Sequence, residues 1–275
     1  MTTTSHLSPA RPAGATARRV TLARVARSEW TKLRSVPSTA WSLLAAVTLI
    51  VGFGALYCVL RVTRPPSDPA AVAAFDPTAV SLTGVQLAQL AVGVLGVLLV
   101  AGEYATGTIR VTLAAVPRRL PVLWAKAIVL ALTTLGLCLP ATLAAFLVGQ
   151  SILSAEGLDT TLGDPGVARA VLGSALFLTA VGLLGLGLGA VARSTAAAVA
   201  GLFGLLFGPQ LLTGLLPATW SDRLYPYLPV PAGAAVANAH PDPTVLGPWS
   251  GFTLFCLYTA VVLALAAWRL RHHDA

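Results

Sequence analysis

A chain of 275 residues that is 56% hydrophobic, only 10% charged and of mean hydropathy +0.80 has too little polar surface to cover a water-soluble globule. A net charge of +8 would point to nucleic acid in a soluble protein, but here the placement of the charges accounts for the excess by topology and attraction to anionic lipid, and no nucleic-acid partner is expected. Three cysteines, Cys58, Cys138 and Cys256, fall inside apolar runs and read as small apolar residues, with no disulfide framework and no metal-ligand spacing.

Residues 1–17 are rich in Thr, Ser, Pro and Ala without periodicity, which predicts a disordered tail. Over 18–38 a stripe of Leu22, Val25, Ala26, Trp30, Leu33 and Val36 recurs at helical spacing, while Arg24, Arg27 and Arg34 point away from it. This predicts an amphipathic helix in the headgroup plane, anchored by Trp30 and ended by Pro37. No hydrophobic stretch of signal-peptide type precedes it, so the first span is expected to act as an uncleaved anchor.

Uncharged runs then occupy Thr39–Leu60, Pro77–Gly102, Ala127–Ala155, Ala170–Ala192, Ser194–Ser221 and Pro243–Trp268. Each is long enough to cross a hydrocarbon core of roughly 30 Å as a helix. None alternates as a barrel strand would, and unpaired backbone amides are not tolerated in lipid, so the fold class is all-α with six transmembrane helices. The spans are placed at about 39–60, 80–101, 127–149, 170–191, 195–216 and 249–268, forming one domain over 39–270 with a short tail at 271–275. Arg193 alone separates the fourth run from the fifth, which predicts a tight helical hairpin. The external stretch 216–248 carries seven prolines among Trp220, Tyr225 and Tyr227, a density that breaks any straight helix and predicts an interfacial or re-entrant cap.

Sidedness follows from the basic residues, because short loops rich in Lys and Arg stay in the cytoplasm. With both termini inside, 14 of the 18 basic residues and 3 of the 10 acids are cytoplasmic, a balance of +11 inside and −3 outside.

Neither lysine, Lys32 or Lys126, sits in a G-x-x-x-x-G-K-[ST] loop, so no ATP-hydrolysing site of that type is encoded, and no cofactor is expected. No charged residue falls deep in a span, which argues against a proton- or sodium-coupled carrier. Thr83, Gln86 and Gln89 share about one face of the second span and Gln210 lies in the fifth. Two readings stay open for them: hydrogen bonding between helices, or lining of a translocation path. Gly185 and Gly189, then Gly204 and Gly208, form two G-x-x-x-G pairs suited to close helix packing.

The connection between spans two and three begins with an acid at Glu103, passes a Gly-Thr step at Gly107 and Thr108, and ends in Arg118 and Arg119. Acid at the start and base at the end suit a helix dipole, so the segment reads as a capped interfacial helix or as a docking lever for a soluble partner.

The chain resembles the permease subunits of type-2 ABC transporters, in their compact bacterial form. The resemblance is carried by Ser28-Glu29-Trp30-Thr31-Lys32-Leu33-Arg34-Ser35, by Gly102-Glu103-Tyr104-Ala105-Thr106-Gly107-Thr108-Ile109-Arg110 with Pro117, Arg118, Arg119, Ala125 and Lys126, by Arg193-Ser194-Thr195, and by the proline-rich cap. It implies an elbow helix at the N-terminus and a cytoplasmic coupling helix after span two, in which Glu103, Tyr104, Thr106, Gly107, Thr108, Ile109 and Arg110 would touch an ATPase subunit. Two ATPase copies and a second permease, the same chain or a sister, are further implied partners beside the bilayer. The expected function is the membrane subunit of an ATP-driven exporter of an amphipathic or hydrophobic substrate, with hydrolysis on a partner chain. The alternative is a non-transporting membrane scaffold or sensor partner.

Overall fold

The computed structural model describes residues 21–64, 75–108, 119–240 and 244–272, and every regular element among them is helical. The predicted tail at 1–17, Ile109 and Arg110 of the predicted coupling segment, and residues 273–275 lie outside these.

Helix α1 (Leu22–Ser35) leads into α2 (Pro37–Thr48), a π-helical stretch (Leu49–Phe53) and α3 (Gly54–Thr63), which run on as one span. Pro37 takes the first turn of α2, where an N–H has no helical partner to lose. A short α4 (Pro77–Ser81) is capped by Asp76, whose carboxylate accepts from the backbone N–H groups of Thr78 and Ala79 at 2.8 and 3.1 Å. After a break at Leu82 and Thr83 come α5 (Gly84–Ala105), α6 (Arg119–Leu153), α7 (Val167–Ala192) and α8 (Thr195–Thr213). The cap follows as α9 (Ala218–Leu224) and α10 (Pro229–Ala234), and α11 (Pro248–His272) closes the chain.

Among the described residues six helices are long and apolar enough to cross a membrane: the span Pro37–Thr63, α5, α6, α7, α8 and α11. The chain is therefore a multi-pass membrane protein. All six tryptophans are exposed, and successive crossings sort them to two ends: Trp30, Trp41, Trp124 and Trp268 at one, Trp220 and Trp249 with Tyr225 and Tyr227 at the other. Amphipathic rings gather in this way at the two water interfaces of a bilayer.

The centre of the bundle is α5 against α7, with 61% and 67% of their apolar windows buried, against 17% for α8 at the periphery. Their backbones touch, since a Cβ on Gly185 would run into the Gly93 carbonyl oxygen and one on Gly189 would lie 2.8 Å from that of Val97. Such contact leaves room for no side chain at either position. The second pair differs: a Cβ on Gly204 or Gly208 meets no atom within 4 Å, so these two pack on nothing within the chain's described residues.

The cap is buried in part against the bundle. Pro229, Val230, Pro231, Ala232 and Gly233 are buried, and a Cβ on Gly233 would press on the rings of Phe177 and Phe255 at 2.7 and 2.8 Å. Phe177 stands ten residues into α7, about 15 Å along its axis by helical rise. His240 then closes the segment against the cap of α4, its Nδ1 3.1 Å from Asp76 Oδ2.

Candidate functional site

Helix α1 buries Val25, Glu29 and Leu33, which recur every four residues and so share one face. Val25 packs with Val122 and Ala125 of α6, which brings Glu29 to the next residue of α6, Lys126. The predicted apolar stripe is thus split: Val25 and Leu33 are buried, while Leu22, Trp30 and Val36 are exposed, as are Arg24, Arg27 and Arg34. The physical reason is Glu29, which turns the helix so that its carboxylate, and not the indole of Trp30, enters the contact.

Lys126 Nζ donates to Glu29 Oε2 at 2.6 Å, to Glu103 Oε1 at 2.8 Å and to the Leu99 carbonyl at 3.3 Å, which uses all three of its N–H donors. Lys32 Nζ reaches Glu29 Oε1 at 2.9 Å and Glu103 Oε1 at 3.1 Å. Two carboxylates and two ammoniums thereby alternate in a closed ring joining α1, the last turn of α5 and the start of α6. Side-chain exposure is 1% for Glu29 and 3% for Lys126, against 15% for Glu103 and 41% for Lys32. Charges buried to that degree are tolerated only when paired and hydrogen-bonded. Burial would lower Lys32, but hydrogen bonding and charge attraction from Glu29 and Glu103 outweigh it and hold the ammonium above its ordinary range.

The next residue extends the junction. The Arg193 guanidinium lies 5.5 Å from the Tyr104 ring centre, in range for a cation–π contact. Arg193 ends α7 in the left-handed region, φ +56°, and Ser194 caps α8, so the predicted tight hairpin turns at this point. Tyr104 therefore ties the end of α5 to the α7–α8 turn. Gly107 also has a left-handed backbone, φ +71°, and among the described residues nothing lies within 4 Å of a Cβ there, so the feature shown at this position is the angle. Thr106 donates to the Gly102 carbonyl at 3.0 Å and its hydroxyl touches that of Thr108.

Thr83, Gln86, Gln89 and Gln210, read from the sequence either as hydrogen bonders between helices or as lining of a path, remain apart from this junction. Thr83 donates to the carbonyls of Ala79 and Val80 at 3.0 and 2.9 Å, and Gln89 Nε2 to that of Gln86 at 2.9 Å. Gln86 is exposed, Gln89 is buried with its amide oxygen lacking a hydrogen bond, and Gln210 is half-buried. Among the described residues no hydrogen bond joins Gln210 to the glutamines of α5. Of the ring, the sequence reading singles out Glu103 and misses Glu29 and Lys126 as a pair. A signal existed: Glu29 is the one acid in the first 67 residues, on an otherwise basic helix, and Lys126 is one of two lysines.

The sequence model described as ABC-2 family transporter protein matches residues 26–208, well over half of the chain. The chain belongs to this family. As an ABC-2 family protein it is a permease subunit of an ABC transporter, and its partners are the membrane and an ABC ATPase. The matched stretch runs from α1 into α8 and so contains the whole charge ring and the Tyr104–Arg193 contact. No curated protein matches the chain.

Proposed function

We propose that this ABC-2 permease works as half of an ATP-driven exporter, with the segment starting at Glu103 as its lever for a separate ATPase subunit. The observation that carries this reading is the charge ring. Motion imparted to the end of α5 meets α1 through Lys32, α6 through Lys126 and the α7–α8 turn through Tyr104, so it would move three other parts of the bundle together. In this reading α1 is the elbow helix, both termini are cytoplasmic, and residues 103–110 face the ATPase. The half-transporter pairs with itself or a sister permease above two ATPase copies, and the cargo is amphipathic or hydrophobic, since an apolar path disfavours strongly polar solutes.

Gly107→Val separates lever from scaffold. None of the described residues packs on Gly107, so the bundle should fold, but a β-branched residue is strained at φ +71° and should distort the lever. The expected outcome is normal expression with loss of ATPase copurification and of permease-stimulated ATP hydrolysis. Full stimulation at normal expression would show that the segment is only a connector.

A further inference from the structure

A cavity of about 500 Å³ opens beside the charge ring, between α1, the first turn of α2 and the last three turns of α5. Its size is in the range of small-molecule sites, roughly 300–1,000 Å³. Its lining is apolar at Leu33, Leu95, Leu98 and Leu99. It is polar at Ser38, Thr106 and Thr108 and charged at Lys32 and Glu103. The cavity lies at the end of the bundle marked by exposed Trp30, Trp41 and Trp124, the level at which lipid headgroups meet acyl chains.

A lining that mixes leucines with hydroxyls and charges at that depth matches an amphipathic molecule of the bilayer itself. The charges narrow its chemistry. Two carboxylates and two ammoniums line the site, so it is neutral overall, and an anionic headgroup would set its phosphate against Glu103 and Glu29 without a surplus cation in the ring. A headgroup carrying both signs fits better, because Lys32 and Glu103 are the two members of the ring with solvent access and offer one partner to each sign. We propose that this cavity seats the headgroup of one phospholipid bearing a primary ammonium beside its phosphate, the phosphatidylethanolamine class, with the phosphate toward Lys32, the ammonium toward Glu103 and the upper acyl chain along Leu98 and Leu99. A bound lipid there would touch both α1 and α5, two of the elements that the ring joins, and so would set how firmly they are held together. The inference rests on the membrane-spanning architecture and not on the coupling reading.

The test uses the full chain reconstituted in vesicles of equal phosphatidylethanolamine, phosphatidylcholine and phosphatidylglycerol with matched acyl chains, then released into mild detergent for native mass spectrometry. Phosphatidylcholine keeps the phosphate and the charge but has no N–H to donate. The one-lipid adduct should therefore favour the ethanolamine lipid over it by about tenfold, the ratio set by one charge-assisted hydrogen bond. Leu98→Trp, which fills the apolar part of the lining, should remove the adduct while leaving the thermal midpoint in place, and soluble glycerophosphoethanolamine should fail to displace the lipid. Equal retention of the ethanolamine and choline lipids, preference for phosphatidylglycerol, or displacement by the soluble headgroup would overturn the proposal. Should Leu98→Trp not fold, the three-lipid competition on the unaltered chain decides alone.

Discussion

At the residue scale the charge ring is a case where breaking and replacing an interaction have opposite consequences. Glu29→Ala leaves Lys126 buried with one carboxylate fewer, and removing one member of a buried pair costs about 3–5 kcal/mol. Replacing both at once, Glu29→Leu with Lys126→Met, removes the uncompensated charge and should recover most of that loss, though Glu103 would keep only Lys32. The measurement is the unfolding midpoint of the two variants and the unaltered chain in detergent micelles. A cost below about 1 kcal/mol for Glu29→Ala, the level of an exposed pair, would show that water reaches the ring. This site was only half legible in the sequence. Glu103 was visible because it starts a motif, whereas Glu29 and Lys126 stand 97 positions apart and meet only because Val25 and Ala125 pack α1 on α6.

At the element scale the spans were legible because hydropathy integrates over some 20 residues and no tertiary detail can erase it. Local departures were not. The π-helical turn at Leu49–Phe53 and the descent of α10 beside Phe177 depend on what packs against them, which no local pattern records. The two G-x-x-x-G pairs make the same point, being alike in sequence and different in place. Gly185→Leu inserts a side chain where two backbones touch, and the strain, about 1–3 kcal/mol or more, should sharply lower folded protein in the membrane. Gly204→Leu meets none of the described residues and should leave folding within about 0.5 kcal/mol. Membrane-fraction abundance and gel-filtration monodispersity of the two variants check the contrast. If Gly204→Leu folds but shifts the elution volume to that of a smaller particle, the α8 glycine face joins two permeases.

At the scale of the whole molecule, the crossings and the charges make separate arguments that must agree. Six spans place both termini on one side, whichever side that is, and the same arithmetic groups the ring, the α7–α8 turn and the end of α11 together. In the proposed topology charge chooses the side, because 14 of the 18 basic residues belong to sequence segments assigned to that side and basic loops resist translocation. Leu162 in the loop before α7 and Ser194 in the turn after it are both exposed and stand at opposite ends of a single helix. On a background with Cys58, Cys138 and Cys256 replaced by Ala, Leu162→Cys should react with an impermeant maleimide in intact cells. Ser194→Cys should react only after the membrane is opened. Neither position touches the ring or the α5–α7 contact, so a change of labelling reports on sidedness and not on folding. Labelling of Ser194→Cys from outside would invert the molecule, put the segment after α5 beyond the reach of any cytoplasmic ATPase, and remove the coupling reading together with the topology.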